Sequence, residues 1–576
     1  MPPEIFDVVV VGTGWNGLIS AKTYLDFDAN ANLVLVDEQA TIGGAWSDEK
    51  IYPGLFAQIK YGQFEYSFYP MRHEGVTKDG YISGQTINNY LKEFAAEFGL
   101  IQRTRLRTKV VQVTRRPDGG WRLNLESGKE AIECAKLIYA SGAASHPVIP
   151  QWPCSERFNV PIVHSSEIRS HVDKLQKIRR ATVIGAAKSA YDTVFLLLQY
   201  GVQVNWIIRE NSAGPMAIMP PTILGICNTM DAVSTELVSH LGSSIMQTKG
   251  TGYWLFNRTF IGRSIAKIFW KTIAIIAARH AGYDKSPNAQ KLKPVPHGNG
   301  IFWANAGLGC ASVPNFWKAF HEGDCKVHKT EIASLSASNT VELSNGAHFD
   351  TDYIILCTGF DKSYHHFSAE LQETLGLVSS TYEQVKWAKL EAKAEKKIDQ
   401  LLPAIRESPI TTVEVPSRSA HLEKLLHGPS RHYRRLIVPD IAAKGDRSIY
   451  FPGFIDTIYT PLVAEVQALW GVAFLLGLVD LPSQGDMEAE VADWNVWTRK
   501  RYLAQGKKHA YAIYDFFAYI NLLLGDLGIN GRRKSTALAE LFLPKYPRDY
   551  KGITDEFRRA LSTRQGKAYA KGTKVV

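Results

Sequence analysis

A β-branched run, Asp7-Val8-Val9-Val10-Val11, ends directly in Gly12-Thr13-Gly14-Trp15-Asn16-Gly17, and this junction limits the possible folds more than any other stretch. The run has the pattern of a parallel strand buried on both faces. Leu18, Ile19, Ala21, Tyr24 and Leu25 follow at helical spacing, Leu33 to Val36 predicts a second strand, and that strand ends in Asp37. Strand, glycine turn, helix, strand and acid together predict a unit that holds a dinucleotide. Gly12 makes the tight turn, Gly14 lets a pyrophosphate approach the backbone at the helix N-terminus, and Gly17 lets the helix lie close to the strand. Asp37, about 20 residues on, is placed to accept hydrogen bonds from an adenosine ribose. Ile42-Gly43-Gly44-Ala45-Trp46 then sets a glycine pair before an aromatic, which suggests either close backbone approach to something flat or a surface turn with a packing Trp, and makes Gly44 and Trp46 candidates.

The same shape recurs further on. Ala181 to Gly185 predicts a strand, Ala186-Ala187-Lys188-Ser189-Ala190 opens a helix to Tyr200, and Val202 to Ile208 predicts the next strand. Here the glycines are reduced to G-x-A-x-x-A, with Gly185 and Ala187 in the first two places. Lys188 and Ser189 can donate to a phosphate. The second strand ends in Arg209, where a cation fits the 2′-phosphate of NADP as an acid fits a free ribose hydroxyl; the alternative is a solvated surface charge. Between the units, Ile87 to Phe98 predicts a helix, and Thr108 to Val113 and Trp121 to Leu123 predict strands about the turn Pro117-Asp118-Gly119-Gly120. Val110, on the first of these strands, joins the cofactor-binding candidates. Leu137 to Gly142 predicts a strand ending in small residues, and Pro147, Pro150 and Pro153 mark a linker.

The expected fold class is therefore α/β: two dinucleotide-binding, Rossmann-like domains, the second inserted in the first, plus a helical C-terminal extension. The boundaries read as 1–165 and 336–485 for the two parts of the first domain, 166–335 for the second, and 486–576 for the extension. A chain of 576 residues exceeds one core. Its net charge of +10 suits nucleic acid, an acidic membrane surface or an anionic cofactor. The 66 Lys and Arg are dispersed and no groove-reading module is present, so nucleic acid is not an expected partner. Six cysteines, Cys134, Cys154, Cys227, Cys310, Cys325 and Cys357, form no C-x-x-C pair, so neither a metal site nor a redox-active dithiol is expected. With no leader visible and no run of about 18 apolar residues, the reading is a cytoplasmic protein without a membrane span. Phe260 to His280 is a basic amphipathic helix that either lies on an internal membrane surface or packs on its own domain. Thr381 to Glu407 reads as a charged helical insertion with a solvated face, Ser448 to Phe454 as a last strand and Pro461 to Leu478 as a last apolar helix. The tail shows no chemistry of its own.

Phe158-Asn159-Val160-Pro161-Ile162-Val163-His164-Ser165 resembles the F-x-G-x-x-x-H-S segment of the flavin-containing monooxygenases, in the form common among fungal enzymes of secondary metabolism, with Val160 replacing the glycine. Gly43-Gly44-Ala45-Trp46 matches that family's G-G-x-W. Ala140 to Pro147 is similar to its A-T-G-x-x-S-x-P linker, Cys357-Thr358-Gly359-Phe360 to its later A-T-G-Y turn, and Ala464 to Trp470 to the helix that closes the flavin site. The resemblance implies FAD on the first unit and NADPH on the second. It also implies insertion of one atom of O₂ into a small organic substrate through a flavin C4a-hydroperoxide. Trp46 would wall the flavin, and Gln58, in Ala57-Gln58-Ile59-Lys60, stands where the family carries an Asn and keeps its amide on a longer arm. His164 would either relay a movement between domains or be a linker histidine satisfied by backbone. Ile168 replaces the tryptophan of Baeyer–Villiger relatives, and Ala187 adds a methyl where backbone should meet pyrophosphate. A Baeyer–Villiger enzyme, an NADPH-dependent flavin reductase or oxidase, and a scaffold without turnover are the alternatives. Specificity is expected in 215–330 and 380–430, and the oligomeric state is left open.

Overall fold

The computed structural model describes residues 2–126, 131–143, 145–310, 315–361, 364, 366–377, 381–409, 430–508 and 510–570. Part of the expected insertion (410–429), Ala144 of the first linker and residues 571–576 of the tail lie outside them.

Two parallel sheets carry the molecule. In the first, Glu4–Val11 lies between Leu33–Val36 and Ala131–Tyr139, with Val10 beside Leu35 on one side and Ile138 on the other. Thr104–Arg105 extends one edge, Ile449–Tyr450 pairs with Ala131–Tyr139, and the hairpin Val110–Arg115 and Trp121–Leu125 adds two antiparallel strands. Val8, Val9 and Val10 are fully buried, as a strand covered on both faces requires. The helix Trp15–Phe27 packs against Thr460–Leu475, which is buried almost throughout.

The second sheet runs Ile162–His164, Tyr353–Leu356, Arg180–Ile184, Gln203–Ile208, Cys325–Lys329, all parallel. This corrects two boundaries. Ile162–His164, expected in the first domain, and Tyr353–Leu356, expected beyond residue 335, both belong to this sheet. The chain crosses between the sheets at His146–Pro147 and at Phe360–Asp361, and these two crossings pair antiparallel as a short ribbon.

The tail also differs from a simple helical extension. The boundary at 486 falls inside the helix Gln484–Lys508, and Ala510–Ala512 is a strand paired in parallel with Ile455–Thr457. Trp494, Trp497, Tyr502, Phe516 and Phe517 share one core with the first glycine helix. Thr381–Leu401 is not a merely solvated helix either. It lies along Gln484–Lys508, burying Trp387 and Ile398, and its charges pair across the seam as Lys386–Glu488, Glu391–Arg499 and Lys397–Asp493. Among the described residues no helix is long and apolar enough to cross a membrane, and no group of His, Cys, Asp or Glu is arranged to hold a metal.

Candidate active site

The two glycine turns are built alike. Gly12 has φ 105°, and a Cβ there would sit 2.4 Å from the carbonyl oxygen of Ala140; Gly185 has φ 142°, and a Cβ would sit 2.1 Å from that of Cys357. Each turn therefore lies against the backbone that leaves the neighbouring parallel strand of its own sheet, and only glycine fits. Gly17 approaches closer still: a Cβ would fall 1.9 Å from the Gly12 oxygen. Gly14 caps the helix Trp15–Phe27 without a side-chain cap, leaving its first N–H groups for a ligand.

The segment Gly43–Gly44 passes over this turn so closely that a Cβ on Gly44 would meet the Gly14 Cα at 2.9 Å. Trp46 is half-buried with its ring edge-on to Phe64 at 6.3 Å. Nearby, Trp15 Nε1 and Ser47 Oγ are buried with no hydrogen-bond partner among the described residues. A backbone cradle, a free helix N-terminus and unmatched polar atoms together fit a dinucleotide. Asp37 also braces the turn. Its Oδ2 accepts from the N–H and the hydroxyl of Thr13, both at 2.7 Å, and its Oδ1 from the N–H of Gln39 at 2.9 Å. The carboxylate thereby ties the turn to the second strand, and Oδ1 retains acceptor capacity for a ribose. The Val110 side chain is buried in the core with Val9 and Val36, so only its backbone can serve a cofactor.

In the second unit Ala187 caps the helix Lys188–Gln199, exposed and with extended backbone. Ser189 is half-buried in the first turn. Lys188 is engaged by protein groups. Its Nζ donates to Asp192, which is buried, and to the carbonyl of Phe56 at 3.0 Å, so it binds its own helix to the strand Phe56–Lys60. Arg209 is half-buried with no ion-pair or hydrogen-bond partner for its guanidinium among the described residues, and burial pulls it below its usual pKa, opposed by Glu331. Lys329 ends the adjacent strand Cys325–Lys329, where its register partner is Ile208, the residue before Arg209. Burial lowers the pKa of Lys329 too, against Glu210, and no ion pair is formed among the described residues. The sequence alone does not point to Lys329, since only knowledge of which strand neighbours Gln203–Ile208 brings it to the same end of the sheet.

His164 is buried at the end of the strand Ile162–His164. Its Nδ1 accepts from the N–H of Ser166 at 3.2 Å, so Nε2 carries the proton and donates to the Gly359 carbonyl at 3.1 Å. Burial holds its pKa below the usual value, and Phe360 packs edge-on at 4.9 Å. The imidazole joins the strand Ile162–His164 to the second crossing. Gln58 is elsewhere, on Phe56–Lys60, where a Cβ on Gly309 would lie 2.8 Å from its Nε2. Leu308, next to Gly309, lines an apolar cavity of about 30 Å³ together with Met219, Val238, Phe269, Ile273 and Tyr514. The lining comes from 215–330, except for Tyr514, which the tail supplies.

Glu465, on the helix Thr460–Leu475, is buried, with Oε2 accepting from the Ser67 N–H and Oε1 from the Ser67 hydroxyl, both at 2.6 Å. Burial outweighs these donors and pushes its pKa from 4.5 up to about 7. Between these values the unfolded chain has lost this proton while the folded one keeps it, so stability falls as pH rises from about 4.5 to about 7, by about 1.4 kcal/mol per pH unit. Urea unfolding of Glu465→Gln over that range should lack this one-proton slope; a slope equal to that of the native chain would show Glu465 to be ionised throughout.

Two dinucleotide cradles on parallel sheets, joined by paired crossings, define a nicotinamide- and flavin-type oxidoreductase fold. A family model described as pyridine nucleotide-disulphide oxidoreductase matches residues 9–231. The chain is 47% identical over 558 residues to FAD-dependent monooxygenase DEP4 of Alternaria brassicicola, with 96% of this chain and 95% of that protein covered. It is 34% identical over 575 residues to FAD-dependent monooxygenase resA of Aspergillus sclerotiorum, with 96% and 98% covered. Among solved structures, oxidised steroid monooxygenase bound to NADP aligns with a TM-score of 0.59 at 16% identity, over 92% of this chain and 99% of that one. Cyclohexanone-bound cyclohexanone monooxygenase aligns at 0.57 and 15% identity, over 91% and 97%. The chain belongs to the FAD-dependent monooxygenase family.

Proposed function

We propose that the chain is an NADPH-consuming, single-component monooxygenase, with FAD on the first glycine unit and NADPH on the second, the NADPH domain being inserted in the FAD domain. The carrying observation is the repeated cradle: Gly12 and Gly185, each at positive φ, each backed against a carbonyl of its own parallel sheet. Bound FAD supplies hydride acceptance and oxygen activation, with NADPH as the donor. The chain's residues do the rest. The Trp15–Phe27 N-terminus and Gly14 receive the pyrophosphate, Asp37 the ribose, and Arg209 with Lys329 the 2′-phosphate. Gln58 presents an amide beside Gly309, one residue from Leu308, which lines the small apolar cavity. His164, neutral and satisfied by backbone, positions the crossing at Gly359 instead of transferring a proton.

Anaerobic addition of NADPH to the purified protein tests this directly. Flavin absorbance should bleach, and after oxygen is admitted it should return with a delay. Absence of bleaching would withdraw the NADPH assignment, and immediate return with stoichiometric hydrogen peroxide, with or without substrate, would favour an oxidase or reductase.

A further inference from the structure

The helix Phe260–Ala281 has two apolar faces. Trp270, Ile273, Ala277 and Ala281 are buried in the protein, and Trp270 Nε1 donates to the Leu241 carbonyl at 2.8 Å. The opposite face leaves Ile261, Ile265, Ile268 and Ile275 exposed, at spacings of four, three and seven that keep them in one stripe. Phe260 at its start is 77% exposed. Lys267 and Lys271, one turn apart beside the stripe, are exposed and form no ion pair among the described residues. From Leu237 to Tyr283 the sequence holds six Lys and Arg and no Asp or Glu. A hairpin, Thr222–Ile223 with Cys227–Asn228, lies next to this helix, since Ile223 and Phe269 line the same cavity. Its tip carries Leu224 and Ile226, the latter 86% exposed.

We propose that this helix face and hairpin tip form a peripheral docking surface for an anionic lipid bilayer. Exposed apolar side chains of this number in one stripe are costly in water and enter the headgroup boundary readily, while flanking cations are drawn to acidic headgroups. The charge pattern selects the occupant. A second copy of this chain would bring the same acid-free, cationic face against itself, whereas an acidic lipid surface is its complement. The buried face keeps the helix on its own domain, so docking requires no insertion of a span.

Flavin-loaded, full-length protein is sedimented with vesicles of phosphatidylcholine alone and of equimolar phosphatidylcholine and phosphatidylserine. Binding is expected to the mixed vesicles, weakening with salt. It should be lost in the Ile261→Ser/Ile265→Ser/Ile268→Ser variant and fall about fivefold for each cation removed at Lys267 and Lys271. Unchanged flavin absorbance and thermal unfolding would show that these variants are folded. Failure of the native protein to bind the mixed vesicles overturns the proposal, as does equal binding by the native protein and the triple variant. So does a fall in native oligomeric mass caused by the triple substitution without vesicles, which would assign the face to a second copy.

Discussion

Gly14→Ala should yield a folded protein that no longer retains FAD, and Gly17→Ala a chain that does not fold. The two glycines are three residues apart and their surroundings are opposite. Gly14 has φ −85° and ψ −167°, extended backbone open to any residue, and a Cβ there would meet nothing nearer than the Gly44 Cα at 3.5 Å. The protein alone accommodates that methyl. It stands, however, over the free N–H groups of Trp15–Phe27, where the pyrophosphate must come close, so the cost falls on the ligand. Gly17 is inside the helix, and its methyl would lie 1.9 Å from the Gly12 oxygen and 2.9 Å from the Gly12 carbonyl carbon. Those atoms are backbone and cannot rotate away, so the helix must lift off the strand Glu4–Val11. Overlap of this depth costs about 4 kcal/mol or more, which is comparable to the net stability of a domain. Flavin absorbance and circular dichroism of the purified variants separate the two effects. Full flavin content in Gly14→Ala would place the pyrophosphate elsewhere, and native unfolding behaviour in Gly17→Ala would refute the close approach.

Local signals are readable in the sequence, and pairings between distant segments are not. The first unit is legible because strand, turn, helix and acid follow one another within Phe6–Trp46, and each is specified by its own residues. Tyr353–Leu356 also reads as a strand, but nothing in its residues says that it pairs with Ile162–His164 and Arg180–Ile184, so sequence order puts it in the wrong domain. Thr381–Leu401 looks solvated because its Lys and Glu carry no sign of what they face; Lys386, Glu391 and Lys397 find their partners on Gln484–Lys508. The tail hides its core in the same way. Trp494 and Trp497 are fully buried, and so is Arg501, whose guanidinium donates to the carbonyl of Gly242 and lies over the ring of Phe302. A buried arginine is legible only once the aromatic and carbonyl groups around it are known. The same reason separates Lys188 from Lys329: the first sits in the expected motif and turns to Asp192, while the second has no motif and arrives through sheet order.

That difference fixes the remaining prediction, a loss of coenzyme selectivity. Arg209 and Lys329 leave adjacent parallel strands at their C-terminal ends, where open α/β sheets bind ligands, and neither cation has an ion-pair partner among the described residues. Each is a partly buried cation, and burial pulls the pKa of both below the usual values, against Glu331 for Arg209 and Glu210 for Lys329. We expect a dianionic 2′-phosphate at this end of the sheet to pair with the planar fork of Arg209 and to draw on the point charge of Lys329. Arg209→Ala should therefore raise the KM for NADPH about 100-fold, and Arg209→Ala/Lys329→Ala about 1,000-fold or more, while the KM for NADH changes little. Flavin content should stay at one per chain, because the first unit is untouched. Lys188→Ala supplies the contrast: its ammonium is held by Asp192 and the Phe56 carbonyl, so the ratio of the two KM values should not move. Steady-state kinetics with both coenzymes decide the matter. An equal rise for NADPH and NADH would remove Arg209 and Lys329 from the phosphate site, and a selective rise in Lys188→Ala would return the phosphate to the helix N-terminus.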